Sequence, residues 1–289
     1  MFLLPEIEPG DSDPRIPEFV ERVAAEGRRL YREFPWRATR DPYAILVSEV
    51  MLQQTQVARV VPYYETWLAD FPTLEALAAA PLEVVLRSWQ GLGYNRRAIA
   101  LKRVAETVVD GTPLGKEAAL PCDRGQLLAL PGVGPATASG VRAFAFGQPD
   151  PYLETNVRAV FLHELFADRD GVPDSEIAPL VAQASAIAGA GGIEPRAWNY
   201  ALLDYGAYLK RAVPNPSRRS AHHGRQSTFE GSRRQKRARL LRSVMATPGA
   251  SAEDHSVDLG LEPGEALGIL EDLAAEGFVA RDDEGWRVP

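Results

Sequence analysis

Two helical patterns meet at Leu130-Pro131-Gly132-Val133-Gly134-Pro135-Ala136-Thr137-Ala138, and no other stretch restricts the fold as tightly. The glycines permit a tight turn with close backbone approach, so the segment reads as helix, Gly-x-Gly hairpin, helix. The surrounding chain agrees. From Pro17 to about Ala212 the apolar residues recur mainly at helical spacing, as in Thr73 to Leu86, where Leu74, Leu77, Leu82, Val85 and Leu86 follow Thr73 as N-cap. Similar periodicity covers 95–109, 124–130, 136–146, 155–167, 176–188 and 196–211, with Gly or Pro between the stretches, and strand-like alternation is scarce. The fold class read from this pattern is all-α.

The 289 residues suggest two domains at roughly 100–200 residues each. Four segments are expected: an N-terminal tail over 1–16, a helical domain over 17–212, a basic linker over 213–232 and a small module over 233–289. In the module, helices near 233–246, 251–260 and 263–276 precede two short strands around Asp282–Gly285, a winged-helix-like order. With 45% hydrophobic and 25% charged residues the composition is that of a globular protein. No apolar run approaches the ~20 residues of a membrane span, and the acidic N-terminus is unlike a secretion signal. A single cysteine, Cys122, excludes an internal disulfide and any site built from several thiolates.

Charge is segregated. Tyr205 to Met245 holds eleven Lys/Arg against Glu230 alone, a charge of +10, whereas Ala246 to Pro289 holds eleven acids and two arginines, a charge of −9. One concentrated basic stretch in a chain of net charge −7 suits a polyanion bound through one face, or equally a solvated connector. The acidity of the last segment favours structural packing over contact with DNA, a partner surface being the alternative.

Four elements could carry chemistry. The free N–H groups at the start of the second hairpin helix suit a phosphate, although a plain helix–helix turn has the same sequence needs. Glu49 lies in an apolar helical stretch beginning at Tyr43, with Gln53 on the same face four residues on. A carboxyl among apolar groups stays protonated near neutral pH, as a general acid must, whereas an isolated Glu is commonly a surface residue. Glu154, in Tyr152-Leu153-Glu154-Thr155-Asn156, stands where it could cap a helix or face a developing cation. In Gly91-Leu92-Gly93-Tyr94-Asn95-Arg96-Arg97 the tyrosine could wedge between bases and the arginines meet phosphate, or the tyrosine could be core.

Together, Pro35-Trp36-Arg37, Pro42-Tyr43, Ser48 to Val57, Gly91 to Arg97, the Leu130 to Ala138 hairpin, Asn156-Val157-Arg158 and Ala201 to Ala207 resemble the helix-hairpin-helix (HhH-GPD) DNA glycosylases, a superfamily that includes endonuclease III. The likeness is greatest to the MutY-type, adenine-specific branch. It implies two helical lobes with a cleft between them and a base flipped out of the duplex for a few kcal/mol. Glu49 matches the acid that protonates the departing base, and Glu154 the carboxylate that stabilises the sugar cation. Gln53, Gln54 and Tyr94 match residues that open or fill the stack, and Arg37 one near the pocket. Gly132, Gly134, Ala136, Asn156, Arg96 and Arg97 complete the implied DNA-binding set.

The chain departs from the family in three places. Glu154 stands where Asp is usual, and a displacement of ~1 Å can cost ~100-fold in rate. Ala136 and its neighbours include no Lys after the hairpin glycines, so no Schiff-base lyase step is expected. Residues 208–230 contain no Cys, so the family's four-Cys iron–sulfur cluster is not expected, nor a metal site at His222 and His223. The resemblance leaves room only for a monovalent cation at the hairpin. Residues 246–289 are too few for the Nudix-like domain common in adenine glycosylases. The expectation is a monofunctional glycosylase for adenine opposite 8-oxoguanine or guanine, monomeric, on double-stranded DNA, cytoplasmic, or nucleoid-associated in a prokaryote. A glycosylase for a deaminated or alkylated base, or a catalytically silent lesion sensor, are the alternatives.

Overall fold

A computed structural model describes residues 13–224 and 228–289; most of the expected tail, and Arg225 of the basic stretch, lie outside them. The apolar stretches fold as helices that sort into two lobes. Helix α1 (Ile16–Leu30) leaves its sequence neighbours and packs on helices that come much later. The next seven, α2 (Pro42–Met51), α3 (Val57–Asp70), α4 (Leu74–Ala79), α5 (Leu82–Trp89), α6 (Arg96–Asp110), α7 (Arg124–Ala129) and α8 (Pro135–Phe144), make the first lobe. Its centre is an edge-on cluster of Trp67, Phe71 and Trp89, with both tryptophans fully buried. The second lobe joins α1 to α9 (Thr155–Glu164), α10 (Asp174–Ala190) and α11 (Pro195–Ala212) around Phe19, Phe161 and Trp198.

The stretch from Thr73 to Leu86 is two helices, not one. Thr73 caps α4 by accepting from the Ala76 N–H, as expected, but Pro81 cannot donate to the preceding turn, and α4 stops at Ala79. The linker is also more ordered than its composition suggested. Pro216–Arg219 forms a 3-10 turn against α9, and Val172 forms a parallel bridge with Ser220, its N–H donating to the Arg219 carbonyl and its carbonyl accepting from the Ala221 N–H.

Buried ion pairs fix the chain where the lobes meet. Asp204 on α11 is fully buried and receives Arg37 on both oxygens (2.7 and 2.9 Å) and Arg32 at 2.6 Å. This ties the segment between α1 and α2 to the second lobe. Asp150 is buried beyond α8, where it accepts from Ser139 (2.7 Å) and is paired with Arg124 and Arg142. The segment leading to α9 is thereby anchored to the hairpin helices.

The C-terminal module comprises α12 (Arg233–Ala246), α13 (Ala252–Leu259), α14 (Pro263–Ala275) and an antiparallel hairpin of β1 (Ala280–Arg281) and β2 (Trp286–Arg287). Its core includes Leu240, Val244, Ile269, Leu270, Phe278 and Trp286. The two opposite charge blocks of the sequence meet here: Lys236 pairs with Glu265, Arg233 with Asp272 and Arg237 with Glu276. Three of the eleven acids in the acidic stretch thus pair with α12 within the module. The module also docks on the first lobe, where Arg87 donates to the Met245 carbonyl (2.9 Å) and Arg96 pairs with Glu276 at 2.7 Å.

Replacing Asp204 with Asn leaves Arg37 buried without its counter-charge. Chemical denaturation is expected to show a loss of about 3 kcal/mol, the usual cost of stranding one member of a buried pair; a loss below about 1 kcal/mol would contradict this role.

Candidate active site

The two glutamates singled out in the sequence come from different lobes and lie within electrostatic reach of each other. Glu49 projects from the last turn of α2 against α8. The fit there depends on Gly140, since a Cβ at that position would lie 2.1 Å from the Glu49 Oε2 atom. Glu154 is the N-cap of α9: its Oε1 accepts from the backbone N–H groups of Asn156 and Val157. Between them stands Tyr152, whose hydroxyl donates to Glu49 Oε2 at 3.1 Å. Each carboxyl also influences the ionisation of its neighbours: Glu154 opposes ionisation of Glu49, and both oppose ionisation of Tyr152.

Their environments differ. Burial pushes the Glu49 carboxyl up to about 8, and the nearby Glu154 charge adds to this, while the single Tyr152 hydrogen bond acts the other way. Burial also raises Glu154, but two backbone N–H groups, Lys210 and Arg158 pull against it. Asn156 donates its Nδ2 to Glu154 Oε2 (3.3 Å) while its Oδ1 accepts from Lys210 (3.0 Å), so both oxygens of Glu154 are served by donors. Burial raises both carboxyls, but Glu49 has the Tyr152 hydroxyl against it, whereas at Glu154 two backbone N–H groups and two cations oppose the effect. Helix capping and an electrostatic role for Glu154, weighed as rivals in the sequence, are compatible here because capping is what holds the charge.

Aromatic rings pack around Tyr152. Phe144 stacks on Tyr200 (4.5 Å, 5°) and meets Tyr152 edge-on at 5.4 Å. The Tyr200 hydroxyl is buried, within electrostatic reach of Glu49, and has no hydrogen-bond partner among the described residues. A buried hydroxyl left unpaired costs about 1–3 kcal/mol unless something supplies a partner. Arg37 lies behind this ring, 4.1 Å from its centroid and committed to Asp204. It is therefore part of the support of these rings and not of an exposed surface.

The rim is made by two loops. Gln53 lies beyond the end of α2, not on its face, and its Nε2 donates to Thr137 on the hairpin helix at 3.1 Å. Gln54 and Tyr94 both take left-handed backbone (φ 54° and 50°), uncommon for non-glycine residues and concentrated at functional sites. Arg97 corrects an expectation. It is buried, and its guanidinium donates to the carbonyls of Val50, Met51, Gln53, Leu92 and Gly93 and to Thr55, so it joins the loops instead of meeting phosphate. Arg96 is exposed and paired with Glu276, and Tyr94 is exposed and not core. At the hairpin, Gly132 has φ +73°, and a Cβ there would press to 2.7 Å of Ala100. Gly134 precedes the first turn of α8, and Ala136 is half-buried within it.

The profile of the HhH-GPD superfamily base excision DNA repair proteins matches residues 47–178. An adenine DNA glycosylase of Mycobacterium tuberculosis is 34% identical over 278 residues, covering 89% of both chains. The chain belongs to the HhH-GPD superfamily. Among solved structures, a thermostable thymine-DNA glycosylase superposes with a TM-score of 0.57 at 27% identity, covering 67% of this chain and 86% of that one. A trapped endonuclease III–DNA intermediate shares the fold, with a TM-score of 0.51 at 21% identity over 74% of this chain and 89% of that one. HhH-GPD proteins with an iron–sulfur cluster hold it on four thiolates, and this chain has one cysteine, Cys122, exposed ahead of α7. The donor set does not fit a cluster; the 3-10 turn and the Val172–Ser220 bridge organise the chain after α11 instead.

Tyr152, Gly140, Tyr200 and Lys210 were not among the residues expected at the site. A glycine inside an otherwise good helix costs about 1 kcal/mol relative to Ala, so Gly140 carried a signal. The others carried none, because aromatic and basic residues at helical spacing are ordinary.

Gly140→Ala is expected to displace the Glu49 carboxyl, lowering activity about 100-fold while unfolding free energy changes by less than about 1 kcal/mol; activity equal to wild type would refute the contact. Glu49 also links stability to pH. Because its folded pKa is raised, the folded state holds the proton more tightly than the unfolded chain, and stability falls as pH rises from about 4.5 to about 8. Glu49→Gln removes this dependence, so its advantage over wild type should be near zero at about pH 4 and grow to a few kcal/mol by about pH 8 in paired denaturation curves.

Proposed function

We propose that this chain is a monofunctional glycosylase that removes adenine from DNA, taking it from a mispair with guanine or 8-oxoguanine. The observation that carries the reading is that Glu49 and Glu154, from different lobes, come within electrostatic reach of each other in unlike surroundings: Glu49 faces the Tyr152 hydroxyl, Glu154 two backbone N–H groups and two cations. A purine stacked in a duplex is out of reach of either, so the nucleotide must be extruded, at a cost of a few kcal/mol. The rim of Gln53, Gln54 and Tyr94 is placed to fill the gap. The aromatic wall of Phe144, Tyr152 and Tyr200 offers a face for the expelled base, and the unpaired Tyr200 hydroxyl offers it a hydrogen bond.

Protonated Glu49 gives its proton to a ring nitrogen of the base. The bond from C1′ to the base then breaks with its electrons leaving on the base, and positive charge grows on the sugar. Glu154, negative and fixed by the α9 N–H groups, Asn156 and Lys210, stabilises that charge. Water adds to C1′, and its proton passes to a carboxylate of the site. The extra methylene of Glu154 relative to the usual Asp is accommodated by bending the carboxyl back onto the helix N-terminus. With Ala136 in the hairpin helix and Lys210 held as a hydrogen-bond donor to Asn156, the reading has no amine acting as a nucleophile.

Duplexes carrying adenine opposite 8-oxoguanine, adenine opposite guanine, uracil, hypoxanthine or an alkylpurine separate the possibilities. Incubation followed by alkali should cleave the adenine substrates most, omission of alkali should leave intact strands, and Glu49→Gln should reduce turnover at least 1,000-fold. Above about pH 8 the rate should fall roughly tenfold per unit as Glu49 loses its proton. Every duplex surviving intact with wild type would leave lesion sensing as the reading.

A further inference from the structure

The C-terminal module reaches the loop that carries Tyr94 as well as α5 of the first lobe. Arg234, in the first turn of α12, donates Nη1 to the Tyr94 hydroxyl at 2.8 Å. Its guanidinium lies 5.5 Å from the Tyr94 ring centroid and 5.3 Å from that of Phe229. Tyr94 is itself held from within, where Arg97 lies 5.5 Å from its centroid. The result is a surface cluster of two aromatic rings with an arginine between them, at the edge of the loops that carry Gln53 and Gln54.

Phe229 is half exposed (50%) in a segment that is otherwise polar. A built turn presents it: the Ser232 hydroxyl donates to the Phe229 carbonyl (2.6 Å) and accepts from Gln235 N–H, while Gly231, at φ +72°, donates to the Gln235 side chain at 2.8 Å. Folding gains nothing from holding an aromatic ring out in water. A groove of about 310 Å³ beside the cluster is lined by Arg96, Arg103 and Gly132 of the glycosylase lobe and Ala275 and Glu276 of α14. The module and the DNA-facing hairpin thus share one face.

We propose that Phe229 and Arg234 complete, with Tyr94, a stacking site for a single unstacked nucleobase of the bound DNA. Aromatic faces and the guanidinium plane take any base by stacking and cation–π contact, without reading its edge. Expelling one nucleotide leaves its neighbours and its former partner without a stacking surface, and this cluster supplies one. The C-terminal module thereby contributes to lesion binding as well as to packing. The inference rests on the DNA reading above, but its test requires no catalysis.

Fluorescence anisotropy measures binding to a duplex containing a tetrahydrofuran abasic analogue and to an undamaged duplex of the same length. Phe229→Ala and Arg234→Ala are each expected to weaken abasic-duplex binding about tenfold and undamaged-duplex binding less than about twofold. Arg234→Lys should lose nearly as much as Arg234→Ala, since a lysine keeps the charge but not the plane. With 2-aminopurine placed opposite the analogue or next to it, wild type should change the fluorescence at one position, naming the strand, and Phe229→Ala should remove most of that change. Full affinity in Arg234→Lys, equal losses on both duplexes, or a fluorescence change absent from wild type or retained in Phe229→Ala would overturn the proposal. No preference of wild type for the abasic duplex would overturn the glycosylase reading with it.

Discussion

The desolvation of Glu49 between α2 and α8 is the constraint around which the rest of the site is organised. A carboxyl pressed against Gly140, with the Tyr152 hydroxyl as its hydrogen-bond donor, is pushed up to about 8 by burial. That single property sets it apart from Glu154, where backbone N–H groups, Lys210 and Arg158 oppose the effect of burial. Such a group lowers stability at neutral pH, so the surrounding structure must be firm enough to hold it in place.

The firmness comes from ion pairs buried on either side of the cleft. Asp150 fixes the segment that leads through Tyr152 to Glu154, and Asp204 fixes Arg37 beneath Tyr200. Their contribution is geometric: a site whose two halves belong to different lobes needs covalently distant segments locked together, and a charge buried with its partners tolerates little displacement. Arg97 plays the same part at the rim, where its six hydrogen bonds join two loops whose own sequences prefer no fixed arrangement.

The opposite charges of the two C-terminal stretches also have a structural explanation. Lys236, Arg237 and Arg233 would repel one another along α12 if α14 did not bring Glu265, Asp272 and Glu276 against them. Neutralised in this way, the basic helix can rest on the lobe that carries the hairpin and still leave Arg234 at Tyr94.

Much of this was legible in the sequence. The 3.6-residue periodicity specified nearly every helix, because burial on one face of a helix is a local pattern, and the C-terminal helices and strands fell where their turn residues placed them. The hairpin and Glu49 were legible for the same reason: glycines and a carboxyl among apolar residues are anomalies within a few positions. Pro81 was a local signal that the apolar pattern obscured. What the sequence by itself determined was therefore the elements, their order and the residue types available for chemistry. The tertiary structure alone decided which of them met. The link from Tyr152 to Glu49 spans about a hundred residues of chain, Arg97 turned inward because unpaired loop carbonyls competed with solvent for it, and Arg234 found Tyr94 through a module folded from the far end. Long-range hydrogen bonds and charge pairing depend on distances in space, and spacing along a chain encodes those only within one helix or one turn.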